Sequence, residues 1–413
     1  MPGPRPRTLV CATAAALGLL SACTTGSTKA APTTTSSTTA APTITQGGDI
    51  TVAAEGDPGC MDWISTCAGS SWGIWTVETN TMPRAYDYTR DNLYKPSILL
   101  TGEAQVQTAP EQVVTYHLNP RAIWSDGQPI TAHDFKYTWD QIAHGLNIAD
   151  SSGYKDIVTV DDSDPVTAVV TFSQTYADWR KLFGGPFGIL PSHLLEGHDR
   201  NALMKDGYTW SGGPWALAPG GWVRGQSIRL VPNPDYWGKK PDLGSVTFQI
   251  FPDAASELQA YAAGQVVAAY PAAEPAIAGY RSLPNTSDNA TGGLDLVALW
   301  FDVAKAPVDA KAVRQAVAYS LDRAAIVTQT LGAFSPGATP IQDLLTPAYG
   351  PYYGEPFAKY RQDTAAGAQL MAAAGWTRGA DGIWAKATQK AAIELKVSAA
   401  STRDQQIAQL VQT

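Results

Sequence analysis

Histidine is scarce, five residues in a chain of 413, and neither an HExxH nor a CxxC motif occurs. Zinc hydrolysis and thiol exchange therefore lose their usual sequence support, and the scattered histidines outline no nucleophile with its base. No catalytic residue, metal site or cofactor is expected, and an exported hydrolase stays only as the alternative of another class. His193 and His198 are five residues apart and do not share a helix face, so they read as surface loop. Charge is also sparse, at 16%, with no block of Lys or Arg and a formal net charge of -8. An acidic chain without a basic patch has little with which to neutralise phosphates, which argues against nucleic acid or an anionic membrane surface as partner. Long apolar runs are missing as well: none after the first two dozen residues could span a bilayer.

What is present begins with a targeting segment. Arg5 and Arg7 precede an apolar run at 9–20, too short to cross a membrane, and residues 1–22 read as a cleaved signal peptide. Leu20-Ser21-Ala22-Cys23 resembles a bacterial lipobox, which implies a lipid on Cys23 and anchoring without a transmembrane helix. Residues 23–47 are dominated by Thr, Ser, Ala and Pro, cannot bury a core, and read as a tether. Of the four cysteines, Cys11 leaves with the signal and Cys23 is committed to lipid. Cys60 and Cys67 remain, and in an exported chain a disulfide between them is the expectation.

The folded part is read from residues 113–142, VVTYHLNPRAIWSDGQPITAHDFKYTWDQI. Alternating β-branched and aromatic residues at 113–118 predict a strand, and Asn119-Pro120 and Ser125-Asp126-Gly127 predict turns. Thr131 with Asp134 three residues on is a capping box; Phe135, Trp139 and Ile142 make one helical stripe, and Gly145 stops it. Asp161, Asp162 and Asp164 lack the glycine and terminal glutamate of a calcium loop and read as a hairpin tip.

The literal string TYHLNPRAIWSDGQPITAHDFKYTW closely resembles the signature of the family-5 extracellular solute-binding proteins, the oligopeptide- and dipeptide-binding lipoproteins of ABC importers. Two later blocks are similar to the same family and stand in its order. They are GGPWALAPGGWVRGQSIRLVPNPDYWGKKPDLGSVTFQIFPDAASELQAYAAGQV (212–266) and FDVAKAPVDAKAVRQAVAYSLDRAAIV (301–327). Gly264-Gln-Val-Val267 departs from the family, which usually carries acids after the glycine, and this weakens the subfamily more than the fold. The resemblance implies an α/β protein of two lobes, like the type II periplasmic binding proteins, with an extra α+β subdomain and a second lobe incomplete at the C-terminus. Lobe I is expected at 48–88 and 171–293, the subdomain at 89–170 and lobe II at 294–413. Within lobe II, 294–303 (LDLVALWFDV) predicts a strand buried on both faces, 309–325 a single helix capped by Asp309, and 393–397 a further strand.

Functionally the resemblance implies a monomeric, lipid-anchored receptor on the outer face of a bacterial membrane, which captures a peptide between its lobes and hands it to an ABC permease. Thirteen Trp and seventeen Tyr suit sugars as well as apolar side chains, so oligosaccharide is the alternative ligand. The Gly- and Trp-rich loop after the first strand resembles the family's entry to the cleft. Ser70, Ser71, Trp72, Trp75 and Trp300 are the candidate ligand contacts, the serines hydrogen-bonding and the indoles packing.

Overall fold

The computed structural model describes residues 47–413 apart from residues 55, 69, 70, 90–92, 186, 272–276, 289–295, 334, 336, 345–352, 398–400 and 413. The signal segment, Cys23, all of the tether before residue 47, and Ser70 lie outside the described residues, and so does the side chain of Ser71. Among the described residues ten strands precede residue 251: β1 (Asp49–Ala54), β2 (Tyr86–Tyr88), β3 (Tyr94–Pro96), β4 (Gln105–Gln107), β5 (Val113–His117), β6 (Ile157–Asp164), β7 (Thr167–Phe172), β8 (Trp215–Val223), β9 (Ser227–Pro232) and β10 (Ser245–Ile250).

The first sheet has the order β1-β10-β9-β8. Its β8–β9 hairpin closes through Gly225 at φ +70°, a conformation glycine adopts without a Cβ penalty. The ladder slips between Leu217 and Trp222, where Pro219-Gly220-Gly221 intervenes, and Pro219 has no N–H to donate. β1 and β10 run parallel, as strands separated by a long crossover can. The helix Ala254–Ala262 follows, capped by Asp253, whose carboxylate accepts the Ser256 N–H at 2.7 Å. The chain then returns beside β1 as one parallel bridge, Val52 to Ala268, short of the full third strand that a crossover unit would give.

The second sheet, β4-β5-β7-β6, is antiparallel throughout. Its inward residues Val114, Tyr116, Ala168, Val170 and Phe172 alternate with half-buried or exposed ones, as the period of two requires. The helix Ala132–His144 covers that face, with Phe135, Thr138 and Ile142 fully buried and the Phe135 and Tyr116 rings 5.4 Å apart. Asp134 organises its start. Its carboxylate accepts the Thr131 N–H (2.8 Å), the Ser192 N–H (2.8 Å) and hydroxyl (2.7 Å), and the Trp124 indole N–H (3.3 Å), so that both of its oxygens have donors. The helix ends at Gly145, as its sequence predicts. The β6–β7 hairpin places Asp162 at 2.6 Å from His133 Nδ1 and 2.8 Å from Lys136 Nζ.

One hydrophobic cluster runs from Ala54 to Leu230 and joins both sheets, while a small second cluster, Val308, Val313, Ala316, Met371 and Trp376, holds the C-terminal part. In this part the structure corrects three expectations. Residues 296–303 form no strand, and Val297, Trp300 and Val303 are 54%, 76% and 58% exposed. Residues 393–397 form none either, with Ile393 and Val397 exposed. An apolar run becomes a buried strand only where a ladder partner accepts its backbone, and neither run has one among the described residues. The single helix expected from 309 divides into Lys311–Ser320 and Arg323–Leu331. Asp322 caps the second, accepting the Ala325 N–H at 2.8 Å, and an N-cap residue has non-helical dihedrals that interrupt the first. Asp309 correspondingly caps nothing by its side chain beyond the adjacent Ala310 N–H. Arg314 donates to the carbonyls of Val308 and Asp309, and Arg323 to those of Ile341 and Phe357, so both are structural. Thr364–Ala373 is capped by Asp363 and followed by Gly375 at φ +82°. Among the described residues no helix is long and apolar enough to cross a membrane.

Candidate functional site

In an α/β sheet the crevice beyond the carboxyl ends of parallel strands is where backbone and loops are free to meet a ligand. Here that place is the carboxyl end of the β1/β10 pair, and the chain leaving β1 is held there from several sides. Asp57 accepts the Trp222 indole N–H (2.8 Å) and the Gly225 N–H (2.7 Å), which ties it to the β8–β9 hairpin. The sulfurs of Cys60 and Cys67 lie at bonding distance, with Cα atoms 5.6 Å apart. Gly59 permits that closure, because a Cβ there would strike the Cys67 carbonyl.

Beneath the loop, Asp62 is fully buried and its carboxylate accepts Arg200 Nε at 3.1 and 3.0 Å and the Asn201 amide. Arg200 in turn donates to Gln141 Oε1 (2.8 Å) and the Leu146 carbonyl (3.2 Å). A buried ion pair needs such additional donors and acceptors to offset desolvation, and here it fixes the loop to the helix Arg200–Met204. Trp63 donates its indole N–H to Tyr208 Oη at 2.8 Å, and Tyr208 Oη lies 2.7 Å from Thr81 Oγ1. A loop ordered in advance loses less entropy when a ligand arrives.

After the loop, Ser71–Gly73 starts a helix that widens into a π-turn at Ile74–Glu78, a distortion of the kind often found at functional sites. Of two neighbouring indoles, Trp72 precedes the turn and Trp75 lies within it. Trp72 is 8% exposed and meets Phe248 of β10 edge-on at 5.3 Å. It packs in the core and offers no face to a ligand, which corrects its place among the contacts. Trp75 is 44% exposed, with its ring 6.0 Å from Tyr88, itself 5.2 Å from Tyr94. Trp75, Tyr88 and Tyr94 form a row of rings at the surface. Trp300 is 76% exposed and makes no ring contact among the described residues, so Trp75 and Trp300 are not brought together there.

Two features escaped the sequence reading. Residues 69–73, Gly-Ser-Ser-Trp-Gly, have the GxSxG spacing of a hydrolase nucleophile elbow, which needs a strand running straight into a helix. Residues 61–68 form turns and a bridge instead, and His133, His144 and His193 are engaged with Asp162, Asp140 and Asp126. The second is Glu78, 2% exposed at the end of the π-turn, where burial pushes its carboxyl up to about 7 despite the opposing Arg84 charge and the Gly188 N–H. Its Oε1 accepts that N–H at 2.6 Å, and its Oε2 has no hydrogen-bond partner among the described residues. A lone glutamate in a helical stretch has no pattern by which burial could be foreseen.

The profile of the bacterial extracellular solute-binding proteins, family 5 (middle), matches residues 99–413. The oligopeptide-binding protein OppA of Mycobacterium tuberculosis strain H37Rv is 38% identical over 186 residues, 42% of this chain and 30% of that protein. The probable monoacyl phosphatidylinositol tetramannoside-binding protein LpqW of the same strain is 33% identical over 163 residues, 37% of this chain and 24% of that one. The matched segments thus span less than a third of either relative. Among solved structures, the periplasmic EDTA-binding protein EppA has a TM-score of 0.74 at 23% identity, covering 89% of this chain and 71% of its own. The oligopeptide-binding protein AppA from Bacillus subtilis, in complex with a nonapeptide, has a TM-score of 0.71 at 21% identity, covering 89% and 72%. The matched profile covers most of the chain, the mixed α/β architecture with several sheets is that of these type II binding proteins, and the chain belongs to the bacterial extracellular solute-binding proteins of family 5, a family of receptors and not of enzymes.

Proposed function

We propose that the chain is the peptide-binding receptor of an ABC importer, held at the outer face of a bacterial membrane by a lipid on Cys23 and acting as a monomer. The observation that carries the site is the surface row of Trp75, Tyr88 and Tyr94, beside a loop braced at the carboxyl ends of β1 and β10. Such rings pack against apolar side chains, while loop amides hydrogen-bond an extended backbone, a combination that gives affinity with little side-chain selectivity. A Cys60–Cys67 disulfide would keep the loop ordered before binding. Residues 48–88 and 171–293 make lobe I of this reading, 89–170 the subdomain and 294–413 lobe II, with Trp300 and the Ser70 and Ser71 hydroxyls as further contacts. Ligand bound better by the closed form shifts the lobes toward closure, and the permease reads that shape.

The oligopeptide-binding relative supports peptide. The relative named for a tetramannoside, together with the exposed rings, favours oligosaccharide as the second reading. Native mass spectrometry of the intact protein against a pooled peptide library and a set of oligosaccharides decides between them. Saturable peptide binding without turnover, weakened about tenfold by Trp75→Ala, is expected. Binding of sugars but not peptides overturns the ligand, turnover overturns the receptor reading, and undiminished affinity in Trp75→Ala overturns the site. Cys23→Ala is expected to release the protein into the medium or to leave it unprocessed; unchanged membrane association would refute the anchor.

A further inference from the structure

The π-turn that carries Trp75 ends on Glu78, a carboxyl closed off from solvent that holds one hydrogen bond, from the Gly188 N–H to Oε1 at 2.6 Å. Gly188 comes this close because it lacks a Cβ, which would strike Oε1 and the Met82 side chain. Its segment lies along the chain that enters β2: the Ile189 N–H donates to the Pro83 carbonyl (2.8 Å), and the Ala85 N–H to the Phe183 carbonyl (2.7 Å). Thr79 closes the other end of the turn, its hydroxyl donating to the Trp75 carbonyl at 2.8 Å. Glu78 therefore sits between the turn that bears Trp75 and the strand that bears Tyr88.

The groups around it are set for an exchange of partners. Arg84 is the cation whose field reaches Glu78, yet its guanidinium is paired elsewhere, 3.5 Å from the Asp87 carboxylate. That pair is long, and Asp87 is 59% exposed in its side chain, so it holds Arg84 weakly. Asp87 stands in β2 beside Tyr88 and opposite Lys95 of β3. The phenols of Tyr154 and Tyr208 also face Glu78, but their oxygens are engaged with the Phe183 N–H and with Thr81 and Trp63. Tyr236 faces Arg84 and Asp87, and residues 183–189 carry no ionisable side chain. A neutral carboxyl is tolerated in such a place. A carboxylate with a single donor is not, and a facing cation is the partner that relieves it.

We propose that Glu78 regulates the Trp75 row as a proton-operated switch, an inference that rests on the receptor reading and deepens it. With the carboxyl protonated, Arg84 stays on Asp87 and Trp75 keeps its contact with Tyr88. When the proton leaves, Arg84 turns from Asp87 to Glu78, β2 loses that tie, and the contact between the two rings shifts. Peptide is then captured better on the acidic side of neutrality than on the alkaline side. Burial, which pushes this carboxyl up to about 7, puts the exchange near neutral pH.

The test uses the intact, ligand-free protein labelled with 5-fluorotryptophan and titrated by fluorine NMR between about pH 5 and about pH 8.5, the range that brackets the carboxyl. The Trp75 resonance is the one missing from Trp75→Phe. It is expected to shift with a midpoint of about 7 in the parent, to stay flat in Glu78→Gln, and to titrate at lower pH in Asp87→Asn, where Arg84 has no competing partner. Circular dichroism checks each variant, and Asp87 is exposed, so its substitution leaves the fold intact. By native mass spectrometry, a peptide retained from the pooled library is expected to be held about fivefold more weakly at pH 8 than at pH 6 by the parent, and equally by Glu78→Gln. A Trp75 resonance that does not titrate, one that titrates alike in Glu78→Gln, a midpoint unmoved in Asp87→Asn, or a parent peptide affinity independent of pH overturns the switch. So does a shift unchanged in Tyr88→Leu, where Trp75 has no ring to move against and only a field effect remains. If no peptide binds at either pH, the receptor reading fails, and the ligand-free titration by itself upholds or overturns the switch.

Discussion

Glu78→Gln isolates the energetic cost of a buried carboxyl inside the π-turn. In the folded chain this carboxyl is raised from 4.5 to about 7 by burial, so the folded state holds its proton more tightly than the unfolded state does. Stability linked to this group is therefore fully present below the unfolded value of 4.5, declines as pH rises through about 7, and stays low above it. Between about pH 5 and about pH 8.5 the loss is on the order of 2.5 kcal/mol. Glutamine keeps an oxygen for the Gly188 N–H and places an amide where Oε2 has no partner, which adds a cost of about 1–3 kcal/mol that does not vary with pH. His133 contributes in the same direction, since its hydrogen bonds to Asp162 and Glu196 hold it above its ordinary value and the stability linked to it also falls as pH rises. The quantity to measure is therefore the difference between parent and variant. Urea unfolding followed by tryptophan fluorescence across this range is expected to show the parent losing stability relative to Glu78→Gln by roughly 2–3 kcal/mol. Parallel curves, with a constant offset at every pH, would refute the argument that Glu78 is ionised at the expense of the fold.

Replacing Cys60 and Cys67 together by alanine opens an eight-residue loop and is expected to cost about 2.5 kcal/mol by chain entropy; dithiothreitol should lower the parent's urea midpoint and leave the double variant's unchanged. Trp72→Ala is expected to cost roughly 3–5 kcal/mol, because a core indole leaves a cavity against Phe248, whereas Trp75→Ala stays within about 0.5 kcal/mol. Thermal unfolding of the two variants side by side distinguishes core from surface, and equal losses would contradict their placement.

The capped helix Ala132–His144 and the β6–β7 hairpin were legible in the sequence because the signals that make them are local: a capping pair three residues apart, a helical stripe, and turn residues between alternating runs. The literal strings around them identified the family, which a profile over residues 99–413 bears out. Periodicity could not say which indole of the Trp72 and Trp75 pair faces inward, since the π-turn that holds Trp75 shifts the helical phase and Phe248, more than 170 residues later, packs against Trp72. The same limit holds for the apolar run ending at Val303: hydrophobicity marks a stretch that would be buried, and whether it becomes a strand depends on a backbone partner elsewhere. Burial of Glu78 and the Asp62–Arg200 pair each depend on residues more than 100 apart in the chain, and tertiary contact alone decides them. Local sequence sets dihedrals and faces, but desolvation and pairing are properties of the space into which those faces fold.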